Sequence, residues 1–351
     1  MADDRTPHDH QTLRILDAAA NRAREGLRVV EDFVRFALDD GHITRQVKQL
    51  RHDLTSVLLR LPTTDLIASR DTTGDVGTGI STAAEASRAN PSDVAAASFK
   101  RLQEALRTLE EFSKVIDPAL GGAFEQIRYR GYTLERAVVI VMDSIARLTD
   151  ARLYVLIDGR ESRAAFSRLA GELIAAGVDV LQLRDKTLSD RDLLDRARDL
   201  AELTRDTRTL FIMNDRPDLA VLSGADGVHV GQDELRTRDV RRIVGPRLLI
   251  GVSTHAIDQA REAEVGGANY LGLGPTFASG TKTFAEFSGV AFLRQAAAEI
   301  RLPAFAIGGI TPVNCAEVFA AGIERIAVGG AILNADDPVS IVRALRERMR
   351  E

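Results

Sequence analysis

The sequence predicts an α/β protein, a C-terminal (β/α)8 TIM barrel preceded by an all-α domain. Three observations carry this. Short apolar runs alternate eight times with helix-like stretches over about 200 residues, the count a closed barrel requires. The residues before them show only helical periodicity. A twelve-residue pattern also recurs within that first part: 22–33 (RAREGLRVVEDF) matches 101–112 (RLQEALRTLEEF) at six positions, offset by 79.

Ile15, Leu27, Val30, Phe33, Val34 and Ala37 recur at three- and four-residue spacing and predict a first helix, with Gly41 as its stop. A second helix is expected from Ile43 to Leu61, ended by Pro62. The polar stretch Arg70–Gly79 (RDTTGDVGTG) is a loop, and Pro91 and Ser92 open a long helix to Val115. In the repeat, Arg24, Arg28, Glu31 and Arg35 form one stripe, and Gln103, Arg107, Glu110 and Lys114 form its copy. Such stripes are either mutually paired surface charges or the walls of a polar cleft. A helix over 122–149 joins the halves, and the domains are expected at 1–128 and 129–351.

The apolar runs are Leu153–Ile157, Val180–Leu183, Thr209–Met213, Gly227–Val230, Leu248–Val252, Tyr270–Leu273, Ala304–Ile307 and Arg325–Val328. Most are nearly continuous, as strands buried on both faces should be. An open doubly wound sheet is the alternative, but it would not place polar motifs after nearly every strand.

The chain has 351 residues, 45% hydrophobic and 28% charged, which suits two globular domains. The net charge of −5 is spread almost evenly, so broad nucleic-acid binding is not expected. Apolar stretches such as Ala137–Met142 are too short for a membrane span. The polar start, Met1–His8, predicts no secretory signal. The single Cys315 excludes an internal disulfide and a cysteine-based zinc site, and a cytoplasmic setting is expected.

In a barrel the reactive groups gather where the strands end. The second run ends Gln182-Leu183-Arg184-Asp185-Lys186, and alternation points Gln182, Arg184 and Lys186 to one side. One amide and two cations suit a heterocycle carrying a phosphate chain. Asn214-Asp215 ends the third run, and Gly231-Gln232-Asp233-Glu234 the fourth. Acidic groups on adjacent strand ends can hold Mg²⁺ completed by phosphate oxygens. Gly308-Gly309 and Gly329-Gly330 follow the last two runs, where backbone N–H groups approach a phosphate. His229 and His255 read as structural, and no Ser/His/acid set or cysteine nucleophile is evident. The set suits substitution at a carbon bearing diphosphate, with the leaving charge neutralised by cations.

Residues from about 130 to 351 resemble thiamine phosphate synthases in QLRDK (182–186), ND (214–215), HVGQDE (229–234), GVST (251–254), GPTFASGTK (274–282) and AIGGI (306–310). The resemblance implies coupling of hydroxymethylpyrimidine diphosphate to a thiazole phosphate, with release of diphosphate. It implies that Gln182 and Leu183 contact the pyrimidine. Arg184, Asp185, Lys186, Asn214, Ser253 and Lys282 would serve the diphosphate, with Ser253, Lys282 and Arg184 closest to the chemistry. Ser279, Gly280, Thr281, Gly309, Gly329 and Gly330 would hold the thiazole phosphate. Mg²⁺ is the implied cofactor, on Asp215 and on Asp233 or Glu234. The family's usual order is Gly-Gln-Glu-Asp, so Glu234 takes the register of the second ligand. Ser279 replaces a usual Thr, and Gly329-Gly330 a common Val-Ser.

Residues 1–128 resemble a helical domain found fused ahead of such synthases and proposed to be a hydroxymethylpyrimidine phosphate kinase. The resemblance makes Asp71, Asp75, Gly74, Gly77, Gly79, Arg28 and Arg107 the first candidates there. A structural or oligomerising module is the competing reading, and a homo-oligomer is open. For the barrel, the competitor is a thiazole tautomerase or ligand-responsive regulator, which needs the glycine cup but not the diphosphate apparatus.

Overall fold

The computed structural model describes residues 7–76, 87–278 and 288–350. The chain divides into two compact units, 1–138 and 139–351. The division falls ten residues after the step expected at 128/129, inside a continuous helix.

The first unit is built from α1 (Pro7–Phe36), α2 (Gly41–Leu58), α3 (Thr63–Ala68), α4 (Pro91–Ser113) and the first part of α5 (Pro118–Arg147). The two repeat copies lie on α1 and α4, which pack together. A Cβ at Gly26 would lie 3.0 Å from the Ser98 carbonyl oxygen, so the backbones approach closely there. Leu16, Leu27, Val30, Leu102 and Leu106 are fully buried along the shared seam.

At their two glutamates the charged stripes are paired. Glu31 meets Arg28 at 3.7 Å and Arg51 of α2 at 2.8 Å. Its counterpart Glu110 meets Arg107 at 2.6 Å and Arg128 of α5 at 2.8 Å. Both glutamates are buried, and each is bracketed by one arginine of its own helix and one of the next.

Gly41 does not stop the first helix. It opens the second, whose first turn is capped by the Asp40 carboxylate on the Ile43 N–H at 2.7 Å. The stop lies earlier, at Asp39, whose φ of 57° takes the left-handed turn that ends many helices. An acidic cap followed by glycine starts a helix as readily as glycine ends one.

The second unit is a closed barrel in which every strand pairs in parallel with its sequence neighbours and the last pairs with the first. The strands are β1 (Leu153–Ile157), β2 (Val180–Leu183), β3 (Leu210–Asn214), β4 (Gly227–Val230), β5 (Leu249–Thr254), β6 (Tyr270–Leu273), β7 (Ala304–Ile307) and β8 (Ile326–Val328). Between and after them run α6 (Arg163–Ala175), α7 (Asp190–Thr204), α8 (Pro217–Ser223), α9 (Thr237–Val244), α10 (Ile257–Gly266), α11 (Gly289–Glu299), α12 (Cys315–Ala320), α13 (Gly330–Leu333) and α14 (Pro338–Arg348). Ser162, Ser189 and Asp337 cap α6, α7 and α14.

The barrel interior is filled by side chains. Tyr154, Val180, Ile212, Leu249, Tyr270, Phe305 and Ala327 pack into one cluster, with Leu148 and Ala151 from the segment before β1. Phe305 lies edge-on to Tyr154 and Tyr270, at centroid distances of 5.2 and 5.7 Å. The fourth strand contributes Gly227 there, where a Cβ would fall 2.9 Å from Ile212 Cδ1. Among the described residues, no helix is long and apolar enough to cross a membrane.

Candidate functional site

Two residues further along β2 to β6 the inward positions change from apolar to polar or empty, while β1 and β7 keep Leu156 and Ile307 there. The changed positions are Gln182 on β2, Asn214 on β3, His229 on β4, Gly251 on β5 and Gly272 on β6, all in step with the packed layer below. The next inward step places Arg184, Gly231, Ser253, Gly274 and Gly309 where the strands give way to loops. Strand parity thus carries Gln182, Arg184, Asn214, Ser253 and Gly309 to one mouth.

Gln182, 2% exposed, donates from Nε2 to the Tyr154 hydroxyl at 2.9 Å. Tyr154 and Tyr270 share a hydrogen bond at 3.1 Å between their hydroxyl oxygens. Tyr270 meets His229 Nδ1 at 3.2 Å, and His229 Nε2 meets Ser253 Oγ at 2.8 Å. Five side chains from five strands therefore form one hydrogen-bonded chain across the barrel. Glycine makes it feasible. A Cβ on Gly251 would lie 2.1 Å from Tyr270 Cζ and 2.4 Å from His229 Nδ1. Burial pushes the His229 pKa down to about 4, so the ring is neutral at pH 7. Burial likewise raises both tyrosines above the ordinary phenol range.

Leu183 departs from the expected set. It is fully buried with the opposite strand parity to Gln182, so its side chain does not face the mouth. Asp185 turns to its own loops. It accepts from the Thr187 N–H and hydroxyl, both at 2.7 Å, and from the N–H groups of Leu188 and Gly159, both at 3.0 Å. Burial alone would raise its pKa, but these bonds outweigh it and hold the value at about 2. Arg196 of α7 donates to the Gly159 carbonyl at 2.6 Å, which ties the β1 loop to that helix as well.

Lys186 approaches Asp215, Nζ to Oδ2, at 3.4 Å. Asp215 has a φ of 59°, a left-handed conformation that aspartate tolerates better than most residues. Its N–H bonds to the His229 carbonyl at 2.8 Å, fixing it beside β4. There, Glu234 folds back so closely that a Cβ on Gly231 would meet its Oε2 at 2.5 Å, whereas Asp233 is exposed. Gln232 donates to the Ser253 carbonyl at 2.5 Å and joins this loop to β5.

On the other side of the mouth, Gly308 and Gly309 have φ of 103° and 64°. A Cβ on Gly309 would sit 2.4 Å from the Ala278 carbonyl oxygen, so only glycine lets the β6 and β7 loops close together. The Gly309 carbonyl accepts from Asn314 at 2.9 Å. Gly330 opens α13, a four-residue helix whose Ile332 and Leu333 N–H groups bond to the Gly329 carbonyl at 2.9 and 3.0 Å. Ser279, Gly280, Thr281 and Lys282 lie outside the described residues, as do Gly77 and Gly79. His255 Nδ1 contacts the Gly274 carbonyl, a structural role. Among the described residues no three potential ligands converge as a ready-made metal cage.

In the helical unit, the Arg70 guanidinium binds Asp17 of α1 in bidentate fashion, both contacts at 2.7 Å. This anchors the loop in which Asp71 caps the Gly74 N–H at 2.8 Å. Arg14 reaches the Asp71 carbonyl at 3.4 Å. Arg28 is engaged by Glu31 and Asp32, and Arg107 by Glu110 and Glu111, so the structure gives these arginines partners on their own helices rather than in that loop.

Sequence reasoning missed Tyr154 and Tyr270. Their signal was present, a hydroxyl-bearing aromatic within an otherwise apolar strand, which needs a buried partner.

Residues 153–332 match the family model described as thiamine monophosphate synthase, and residues 14–137 match the ThiD2 family. Two relatives named thiamine-phosphate synthase align over nearly the whole chain. One, from Rhodopirellula baltica, is 46% identical over 95% of this chain and 92% of its own. The other, from Gloeobacter violaceus, is 44% identical over 96% of each. Among solved structures, thiamine phosphate pyrophosphorylase from Pyrococcus furiosus is similar at 32% identity and a TM-score of 0.52, covering 58% of this chain and 98% of its own.

Proposed function

The chain belongs to the thiamine monophosphate synthase family, and from that premise we propose how its barrel mouth makes thiamine phosphate. The substrates are 4-amino-2-methyl-5-hydroxymethylpyrimidine diphosphate and a thiazole phosphate, either the hydroxyethylthiazole or its 2-carboxy form. The bond from the pyrimidine methylene carbon to the diphosphate oxygen breaks, and a bond from that carbon to the thiazole nitrogen forms; with the 2-carboxy acceptor, C2 also loses CO2 and takes up a proton. The thiazole nitrogen attacks with a lone pair and carries no proton, so bond formation itself requires no general base. His229 is bonded through its two ring nitrogens to Tyr270 and Ser253, and the coupling asks no proton of it.

What the reaction needs is charge neutralisation on the departing diphosphate. Arg184 and Lys186 supply it, Asn214 and Ser253 add hydrogen bonds, and Lys282 completes the set. Gln182 orients the pyrimidine. The N–H groups at Gly309, Gly329 and Gly330, with Ser279, Gly280 and Thr281, hold the acceptor's phosphate. Asp185 contributes by fixing the two loops that carry Arg184 and Lys186. Asp215 and Glu234 are hard oxygen donors in the loops that follow adjacent strands and fit Mg²⁺, which keeps several waters and needs few protein ligands. Bound there, Mg²⁺ would stabilise negative charge on the diphosphate. Asp233, being exposed, is the weaker second ligand.

The observation that carries this reading is the Lys186–Asp215 contact at the end of β3, next to strands that bring Gln182 and Ser253 into one hydrogen-bonded chain. The domains are proposed as 1–128 and 129–351, a step ten residues before the division between the compact units. The match of 14–137 to the ThiD2 family supports a pyrimidine-kinase-like role for the first, which would supply the diphosphate substrate. One cysteine in 351 residues suits a reducing, cytoplasmic setting.

Asp215→Ala tests the barrel assignment. Turnover and its Mg²⁺ dependence should fall at least about 100-fold while thiazole phosphate binding changes little. Equal loss of both would refute the role. Incubating the full chain with the pyrimidine monophosphate, ATP and Mg²⁺ tests the helical unit, where failure to form the diphosphate leaves it a structural module.

A further inference from the structure

The hydrogen-bonded chain through the barrel has a direction, and the direction depends on one amide. Tyr154, Tyr270 and Gln182 are 2–3% exposed, so bulk solvent does not reach the centre. Each tyrosine has one proton to give, and a neutral imidazole has one N–H. With Gln182 Nε2 donating to Tyr154, the Tyr154 proton goes to Tyr270 and the Tyr270 proton to His229 Nδ1. The imidazole proton then sits on Nε2 and is given to Ser253 Oγ. Ser253 keeps its own proton to donate outward. Turning the Gln182 amide over reverses every member, and Ser253 then spends its proton on His229.

We infer that Tyr154, Tyr270 and His229 are positioning residues that couple the heterocycle at Gln182 to the anion at Ser253, and so select an amino- over an oxo-pyrimidine. This deepens, and rests on, the proposed coupling activity. An exocyclic amine needs the Gln182 carbonyl oxygen as acceptor, which leaves Nε2 for Tyr154. The same polarity gives Ser253 a proton to offer a diphosphate oxygen. A 4-oxo group needs Nε2 for itself, reverses the chain, and presents Ser253 lone pairs to the anion. Donor at one end and anion at the other therefore reinforce each other through three side chains that touch neither.

Two measurements test this on the full chain. In the first, nitrogen NMR of the histidine rings reports the tautomer of His229, assigned by comparison with His229→Gln. The protonated nitrogen should be Nε2 when inorganic diphosphate and Mg²⁺ are added; a proton on Nδ1 overturns the inference. This needs no turnover, so it stands apart from failure of the coupling reaction. In the second, the ratio of kcat/KM for the 4-amino and 4-oxo pyrimidine diphosphates is compared between the parent and Tyr270→Phe. The ratio should fall about 10-fold or more, as expected when a buried polar pairing that enforces selectivity is removed. A loss that is equal for both substrates marks a merely structural tyrosine and refutes the coupling. Tyr154→Phe interrupts the chain one link earlier and carries the same expectation should Tyr270→Phe fail to fold.

Discussion

Gly251→Ala adds one methyl group at the point where the barrel has no room for it. The new Cβ would lie 2.1 Å from Tyr270 Cζ, 2.4 Å from the Tyr270 hydroxyl and 2.4 Å from His229 Nδ1. None of these is the end of a flexible side chain. Tyr270 is held edge-on by Phe305 and hydrogen-bonded to Tyr154, and His229 is bonded to Ser253. Overpacking of this kind costs about 1–3 kcal/mol. The methyl group also separates Tyr270 from His229, and a buried polar pair that loses its bond costs about 1–3 kcal/mol more. The expected destabilisation is thus about 2–6 kcal/mol, read as a lower urea midpoint followed by near-ultraviolet circular dichroism, which reports the packed tyrosines. Gly272→Ala is the control, since its Cβ comes only to 3.3 Å from His229 Cε1 and should cost less. A Gly251→Ala protein within about 0.5 kcal/mol of the parent would refute the packing and the chain that depends on it.

Two further outcomes follow from the charged groups. Glu110→Ala leaves Arg128, whose side chain is 10% exposed, without its carboxylate and should cost about 3–5 kcal/mol, whereas Glu111→Ala at the surface should cost under about 1 kcal/mol. Equal midpoints in thermal unfolding would contradict the assignment of Glu110 as a buried partner. His229 titrates near pH 6.5 when unfolded and near 4 when folded, so the unfolded chain takes up the proton first and stability falls as pH drops from about 6.5 towards 4. The loss should reach about 2 kcal/mol at pH 5 relative to pH 8 and be absent from His229→Gln. Parallel pH profiles for the two proteins would exclude a depressed histidine.

The barrel was legible because its strands are buried on both faces and read as apolar runs with motifs at their ends. Val180–Leu183 and Ala304–Ile307 match the observed strands residue for residue. β3 and β5 run on to Asn214 and Thr254, because polar residues at the mouth still pair in the ladder. That Gln182 and Asn214 sit where their strands end was legible from position, and Ser253 entered through the resemblance. The division of labour within QLRDK was not legible. A charged residue looks the same in sequence whether it faces a ligand or, like Asp185, its own loop. The Tyr154–Tyr270 contact was beyond reach for a different reason, since it joins residues 116 positions apart on strands that meet only through the barrel interior. Gly41 shows the limit of local signals, because the same dipeptide suits a helix end and a helix start.

The most direct test of the account is product formation by the purified full chain. Given the aminopyrimidine diphosphate, a thiazole phosphate and Mg²⁺, it should release diphosphate and thiamine phosphate in equal amounts. Neither should appear when Mg²⁺ is chelated. Diphosphate release without thiamine phosphate, or no turnover by a protein that is folded and binds both substrates, would contradict coupling at this barrel mouth.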